Sequence, residues 1–346
     1  MTGENANDAP AKPPTLAEVA LLARVSVPTA SRVLNPGTRG ADSGSAEVRQ
    51  RVSAAAAELG YTLSPAARTV KRGRADTIAL LVSDIEDAGA ATIVVGVMHA
   101  AESRGLSVAV RTTLDDPDRE LALLRSLRGE RHRGVVVATS RTTNKKREAA
   151  VAAELDLLVA QGARVAVIGT SSLGYPSVTI DNVGAAGGLA SSLTGLGARR
   201  FGVLAGPRNL VTSADRLRGF LSGLPADADV VQVVHAEFSR DGGHGGFEQL
   251  AGKIRDLDIV AAMSDAMAIG AIGRAHELGL SVPRDIEITG FDAIPVMSDL
   301  VPAFSSVIVP LELFGEASIR LVTQAEPAQG DIRLDTGLIV RGERLA

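Results

Sequence analysis

The chain has 346 residues, no cysteine, no tryptophan and an aromatic content of only 3%, whereas 45% of its residues are hydrophobic. A chain of this length forms two or three domains, each large enough to bury a core. The lack of cysteine excludes disulfide scaffolds, thiolate zinc sites and thiol nucleophiles. The longest apolar runs, such as Ile78 to Val82, have the length of a strand and are far shorter than the ~20 residues of a membrane-spanning helix.

Charge is unevenly distributed along the chain, whose formal net charge is −4. Residues 1–14 contain no apolar stretch of signal-peptide type and are expected to form a disordered tail, which favours a cytoplasmic location. Residues 15–74 carry nine basic and four acidic side chains, a charge of +5. A small basic segment before a large acidic one indicates a polyanion-binding module attached to a separate domain.

Three short helices are predicted in residues 15–62. Thr15 and Glu18 have the spacing of a capping box that begins the first helix. Ser26 is placed to cap a second helix, with Pro28 in its first turn, where the missing N–H costs little. A third helix is predicted from about Ala46 to Leu59.

The second helix has the pattern of a recognition helix. Ala30 and Val33 are predicted to face inward, which leaves small or polar side chains to enter a major groove. Arginine binds guanine through two hydrogen bonds, hydroxyls contact phosphates, and valine contacts a thymine methyl. The outward residues are Val27, Pro28, Thr29, Ser31 and Arg32. Spacing alone also permits a helical hairpin with a charged face.

Residues 63–75 are predicted to form a hinge helix or linker. Ser64 is a natural cap, Pro65 occupies the first helical position, and Gly73 ends the segment. A helix this short is marginal in water, so we expect it to become ordered only when it is bound.

From Thr77 onward, apolar runs alternate with helical segments. Such alternation predicts parallel, doubly wound sheets, and more than one sheet for a segment of this length. Ligands of these sheets bind outside the carboxyl ends of the strands, so we expect a site in the cleft between two lobes. The predicted strands are Ile78 to Val82, Leu106 to Val110, Gly134 to Ala138, Arg164 to Ile168, Phe201 to Leu204, Val230 to Val234, Ile259 to Met263 and Ile286 to Gly290. The predicted helices are Thr92 to Ser103, Arg119 to Leu127, Ala149 to Gln161, Ala185 to Leu196, Asp215 to Leu224 and Met267 to Leu278.

Several stretches together resemble the LacI/GalR family of bacterial transcription regulators. They include TLAEVALLARVSVPTASRVLNPG, AEVRQRVSAAAAELGYTLSPAARTVKRGRADTIALLVSDI and MSDAMAIGAIGRAHELGLSVPRDIEITGFDAIP, and the resemblance extends roughly from Thr15 to Arg341. It implies a fold with an N-terminal helix-turn-helix head and a core like that of periplasmic sugar-binding proteins. In the core, lobe 1 is expected to hold residues 76–180 and 309–330, and lobe 2 residues 181–308 and 331–346.

The resemblance also implies a function and its residues. The expected protein is a homodimer that binds a palindromic DNA operator and changes its affinity when a small effector binds between the lobes. Val70 matches a position where the family usually has a leucine that enters the minor groove. The expected DNA contacts are Thr15, Ser26, Val27, Pro28, Thr29, Ser31, Arg32, Arg68 and Val70, and the expected effector contacts are Ser83, Asp87, Arg216, Ser264 and Asp292.

Three departures from the family pattern bear on function. Arg24 replaces the expected turn glycine, and the loop from Asn35 to Ser45 is longer than usual. Where the family has Asn-Pro followed by aromatics, residues 86–91 read EDAGAA, so an aromatic platform for a pyranose ring is missing there. If Asp87 points into the cleft, it favours a ligand with a cation or several donors; otherwise it is a solvated loop acid.

Other activities have weaker support. No cofactor, metal or enzymatic activity is expected, because the five histidines lack ligand spacing, no Ser/His/Asp set is recognisable, and no glycine fingerprint follows the first strand. The glycine-rich segment from Asp241 to Gly246 lacks the spacing of a phosphate loop and is interpreted as a flexible connection. The alternative function is a cytosolic solute-binding α/β protein with an N-terminal interaction module. Because little sequence follows the last strand, a dimer is expected rather than a tail-tethered tetramer.

Overall fold

The computed structural model describes residues 13–34, 45–62, 75–299, 304–324 and 330–340. These residues divide into two compact units, a head within residues 1–73 and a core within residues 74–346. Each unit has its own buried apolar cluster. No helix in the described ranges is long and apolar enough to cross a bilayer.

The head contains the three predicted helices, α1 (Leu16–Leu22), α2 (Val27–Leu34) and α3 (Ala46–Glu58). The capping box at the start of α1 is present: the Glu18 amide donates to the Thr15 hydroxyl, and the Thr15 amide donates to the Glu18 carboxylate at 2.6 Å. Val19, Ala30 and Val52, one from each helix, are fully buried against one another. Arg24 makes the turn between α1 and α2 with a φ of +54°, the conformation that a glycine adopts most easily.

The core contains two mainly parallel sheets, which confirms the predicted α/β class. In the described residues the order of lobe 1 is β11-β5-β4-β3-β1-β2, and that of lobe 2 is β12-β10-β9-β8-β6-β7. The strands are β1 (Thr77–Val82), β2 (Ser107–Thr112), β3 (Gly134–Ala138), β4 (Arg164–Ile168), β5 (Ser177–Thr179), β6 (Arg200–Ala205), β7 (Asp229–His235), β8 (Ile259–Ala262), β9 (Glu287–Asp292), β10 (Ser305–Ile308), β11 (Ile332–Arg333) and β12 (Gly337–Ile339).

Helices cover both faces of each sheet. They are α4 (Ala88–Glu102), α5 (Pro117–Leu127), α6 (Lys145–Ala160), α7 (Asn182–Gly195), α8 (Val211–Ser222), α9 (Arg240–Leu250), α10 (Asp265–Glu277) and α11 (Leu311–Thr323), with short 3-10 helices at Ala251–Asp256 and Pro295–Asp299. In lobe 1, α4 packs with α11 and α5 with α6; in lobe 2, α7 packs with α8 and α9 with α10. Because both faces are covered, the central strands are apolar on both sides, and residues 78–82 are all fully buried.

Within the described residues, the chain passes between the lobes three times, after β5, after β10 and after β11. The last passage differs from the prediction, which assigned residues 331–346 to lobe 2. Ile332 and Arg333 form β11, which pairs with β5 in the sheet of lobe 1, and only β12 joins the sheet of lobe 2. Arg333 forms an ion pair with Asp181, the N-cap of α7. The segment that crosses between the lobes after β11 therefore contacts the segment that crosses after β5.

The segment from Asp241 to Gly246 is helical, so its interpretation as a flexible connection is wrong. It lies inside α9, whose glycines allow the backbone of α10 to come very close. A Cβ at Gly243 would lie 2.0 Å from the carbonyl oxygen of Met267, and one at Gly270 would lie 1.9 Å from that of Arg240. Tertiary packing therefore overcomes the poor intrinsic helix propensity of glycine here.

Candidate functional site

The head exposes three of the five residues predicted for the outward face of its second helix. Val27, Pro28 and Arg32 are exposed, whereas Thr29 and Ser31 are half-buried and Ala30 is fully buried. The Arg32 Nε donates to the carbonyl of Pro28 at 3.2 Å, so this side chain lies along the helix. The face therefore combines one arginine with small apolar groups, the composition expected for contact with base edges.

Two predicted DNA contacts also shape the head. Both the amide and the hydroxyl of Thr15 are hydrogen-bonded to Glu18. The Ser26 hydroxyl accepts from the Thr29 amide at 3.3 Å and lies 2.8 Å from the Thr29 hydroxyl, so it caps α2. These caps fix the direction of both helices. Arg68 and Val70, with the rest of the predicted hinge up to Arg74, lie outside the described residues.

Between the lobes of the core lies a cavity of about 550 Å³, which we call the interlobe cavity. All five predicted effector contacts line it: Ser83, Asp87, Arg216, Ser264 and Asp292. Most follow the carboxyl end of a parallel strand, as expected for ligand sites of doubly wound sheets. Its size is within the usual range of small-molecule sites.

Arg216 is held rigidly in the floor of the interlobe cavity. Its Nε donates to the Asn182 side chain at 3.0 Å, one terminal nitrogen donates to the Met263 carbonyl at 2.8 Å, and the other donates to Asp292 at 2.8 Å. The guanidinium also stacks on the Phe291 ring, 3.8 Å from its centroid. A fork of donors fixed in this way is suited to orient a polar ligand.

The carboxylate of Asp292 lies beside this guanidinium at the end of β9. Burial raises the pKa of Asp292, and the Arg216 charge opposes that rise. Asp292 and Ala293 have φ values of +114° and +51°, which are rare for residues other than glycine. The backbone is thus strained where β9 enters the cavity, a common feature of ligand sites.

Ser264 and Asp87 both cap helices whose first turns face the cavity. The buried Ser264 hydroxyl accepts from the Met267 amide at 3.3 Å, and Asp87 accepts from the Ala90 amide at 2.7 Å. Burial raises the pKa of Asp87, and the neighbouring charge of Asp84 adds to this effect. Asp87 is therefore a helix cap in the cavity wall rather than a freely solvated loop acid.

Further residues that line the cavity were missed by the sequence analysis. They include Phe238, the carboxylates Asp115 and Glu237, and Arg240. Asp115 follows β2 and Glu237 follows β7, so the rule that places ligands at the carboxyl ends of strands was the signal that could have found them. Phe238 lies 5.9 Å from the Arg216 guanidinium and is an aromatic surface from lobe 2.

A short β-bridge joins the two lobes beside the cavity. Thr142 of lobe 1 pairs with Leu210 of lobe 2, and the Val211 amide donates to the Arg141 carbonyl at 2.9 Å. On the lobe 1 side, Arg141 is buried between Glu120 and Glu148, at 2.7 and 2.8 Å. Burial by itself would raise the pKa of Glu120, but the charge of Arg141 outweighs this effect and lowers the pKa. The lobe 1 side of the bridge is therefore held by two buried ion pairs.

Two protein-family models match parts of this chain. Residues 15–64 match the model described as bacterial regulatory proteins, lacI family, and residues 190–342 match the periplasmic binding protein-like domain. The transcriptional regulator CelR of Thermobifida fusca is 32% identical over 95% of this chain and 97% of its own length. The chain belongs to the LacI family. It is a transcriptional regulator with a DNA-binding helix-turn-helix head and not an enzyme.

Other relatives agree with this assignment. The transcriptional repressor CytR of Escherichia coli K12 is 30% identical over 96% of both chains, and the repressor PurR of Klebsiella pneumoniae strain 342 is 29% identical over 91% of this chain and 92% of its own. Among solved structures, a CelR–cellobiose complex has 30% identity and a TM-score of 0.64 over 95% of this chain and 99% of its own. The Lac repressor dimer bound to operator and the anti-inducer ONPF has a TM-score of 0.80 at 24% identity, over 97% of this chain and all of its own, which shows the shared fold.

Proposed function

We propose that this LacI-family member is a repressor that binds a palindromic operator as a homodimer and is controlled by a small effector in the interlobe cavity. The observation that carries the proposal is the convergence of Ser83, Asp87, Arg216, Ser264 and Asp292 on one cavity between two lobes. A regulator of chromosomal genes acts in the cytoplasm, where its operator is accessible.

DNA binding by the head is supported by its charge and its exposed face. The basic segment of residues 15–74 attracts phosphates, and Arg32 with its apolar neighbours reads bases. Two heads related by a two-fold axis would contact two half-sites about one helical turn apart. The operator-bound Lac repressor dimer, which has the same fold, supports this assembly.

Effector control is supported by the position of the cavity between the lobes. The polar groups that line the cavity come from both lobes. A ligand that contacts Arg216 and Asp87 together therefore favours a closed arrangement, in which the two lobes lie close together. Its binding energy thereby biases the equilibrium between lobe positions, which is the requirement for an allosteric switch. Cellobiose in CelR supports a small polar ligand.

The proposed DNA contact is tested with Arg32→Ala. An operator selected from a random duplex library is expected to be a palindrome, and the variant should bind it about 1–3 kcal/mol more weakly per half-site, with relaxed preference at one base pair. Arg104→Ala, an exposed arginine of the core, serves as the control and should bind like the parent. Fluorescence anisotropy with selected and scrambled duplexes measures both.

Two results would contradict this assignment. An equal loss of affinity for selected and scrambled DNA would mean that Arg32 contacts only phosphates. Recovery of a non-palindromic sequence would argue against a two-fold dimer on the operator.

A further inference from the structure

We infer that the effector is an organic cation, a small polar molecule with at least one protonated amine, bound between carboxylates that the two lobes place across the interlobe cavity. This inference rests on the proposed function, because it assigns a ligand class to the proposed effector site. The site itself is defined by the cavity and by the fixed guanidinium of Arg216, and the carboxylates specify the charge of its occupant.

The wall of the cavity is strongly acidic above the Arg216–Asp292 pair. Six further carboxylates line it, and we call them the acidic rim: Asp84, Glu86, Asp87, Asp115, Glu237 and Asp241. Within the described part of the chain, Arg240 is the one basic residue besides Arg216 in the lining. Asp292 already neutralises Arg216, so an occupant would experience a negative field.

The acidic rim is divided between the lobes. Asp84, Glu86, Asp87 and Asp115 belong to lobe 1, whereas Glu237 and Asp241 belong to lobe 2. Carboxylates of both lobes act on Asp115: burial raises its pKa, the charges of Glu237 and Asp87 raise it further, and the charge of Arg147 opposes the rise. Closure of an empty cavity therefore brings like charges together, and a cation between them reverses the sign of that interaction.

The spacing of the carboxylates favours an extended organic ion over a metal ion. The described residues contain no group of three or more His, Asp or Glu side chains arranged to hold one metal. A cavity of about 550 Å³ has room for a molecule of the size of an amino sugar or a polyamine. Phe238 in the wall adds an aromatic face that attracts ammonium groups.

A charged ligand explains how binding selects the closed arrangement. Its ammonium group would contact carboxylates of both lobes, and its remaining polar groups would bind the fixed fork of Arg216. The attraction between the ammonium group and the carboxylates is larger when the two parts of the acidic rim are close together, so the ligand has a higher affinity for the closed state. The same charges that resist closure of the empty core promote it in the complex.

The test measures thermal shifts of the full chain with matched amines. D-glucosamine is compared with D-glucose and N-acetyl-D-glucosamine, and spermidine is tested at equal ionic strength. At least one of the two amines should raise the melting temperature saturably below about 1 mM, and the neutral sugars should not. No shift with either amine, or an equal shift with D-glucose, overturns the inference, and an equal shift with MgCl₂ replaces it with a metal site.

A double variant locates the binding site. Asp115→Asn with Glu237→Gln removes one charge from each lobe with almost no change in side-chain size, so folding should be unaffected, and the amine should bind about tenfold more weakly. Glu102→Gln with Asp229→Asn removes the same charge at exposed positions outside the cavity lining and should leave affinity unchanged. Equal affinity in both double variants overturns the inference.

Operator binding is measured separately on the same proteins. Failure of the parent to bind any selected duplex would contradict the proposed function, whereas operator binding without amine binding would contradict the ligand class alone.

Discussion

Arg24 adopts a left-handed backbone in the turn between α1 and α2, with a φ of +54°. For a residue with a Cβ this conformation costs ~1 kcal/mol or more relative to glycine. The turn must be kept, because the Val25 amide donates to the Ala20 carbonyl at 3.0 Å and holds α2 against α1. The departure from the family pattern at Arg24 thus costs stability in the head.

Replacement of Arg24 by glycine should therefore stabilise the head. We expect Arg24→Gly to be about 1 kcal/mol more stable than Arg24→Ala, which removes the same charge but keeps the Cβ. Native-state hydrogen exchange of the amides of Ala23 and Val25 in the full chain measures the difference. Equal exchange in the two variants would show that the turn carries no strain.

Asp265 should make the stability of the core depend on pH. Burial raises its pKa to about 7, with the charge of Asp292 adding to the rise and that of Arg216 opposing it. The folded state then keeps a proton that the unfolded state releases above its ordinary value of 3.8. Stability should fall by up to ~1.4 kcal/mol per pH unit as the pH rises from about 4 to 7.

The variant Asp265→Asn tests this expectation. The asparagine oxygen can accept from the Ile294 amide, which now donates to Asp265 at 2.8 Å, and its amide can donate to the Ser306 hydroxyl. Urea unfolding between about pH 5 and 8 should show a smaller fall in stability than in the parent. Asp229→Asn, at an exposed position, is the control, and an unchanged slope in Asp265→Asn would contradict the assignment.

At the scale of elements, glycines determine how closely the helices pack. In α9 the Cα of Gly243 faces the backbone of α10, where a Cβ would lie 2.0 Å from the Met267 carbonyl. Gly245, in the same helix, has no atom within 4 Å of its Cβ position. One helix therefore contains a glycine that packing requires and another that it does not.

This pair gives a prediction with an internal control. Gly243→Ala should destabilise the core by ~1–3 kcal/mol, because the helices must separate. Gly245→Ala should stabilise it by ~0.5–1 kcal/mol, because alanine restricts the unfolded chain and favours the helix. Thermal unfolding of both variants checks this, and effects of the same sign would contradict the packing.

The elements that the sequence predicts well are those buried on both faces. Residues 78–82 and 165–168 are continuous apolar runs because helices cover both sides of each sheet. The short strands β5, β11 and β12, with two or three residues each, carry too little pattern to be recognised. The helix α9 was missed because four of its first seven residues are glycines, whose low propensity is outweighed only by contacts with α10.

At the scale of the whole molecule, the location of the candidate site follows from topology and its charge does not. Arg216 and Asp292 are brought together because α8 and the end of β9 both lie at the carboxyl edge of one sheet. The acidic rim comes from segments after β1, β2 and β7. The strand-end rule places an acid such as Asp115 near the site, but only the folded lobes show that these carboxylates line one cavity.

The central claim is that occupancy of the interlobe cavity changes the affinity of the head for its operator. The most direct measurement is operator affinity with and without a compound that raises the melting temperature, for the parent and for Arg216→Lys. Lysine keeps the charge beside Asp292 but loses the planar fork. The parent should change its operator Kd at least about fivefold with the compound, as typical coupling energies require, while Arg216→Lys binds operator normally and responds little. A parent that binds the compound with no change in operator Kd would contradict the claim.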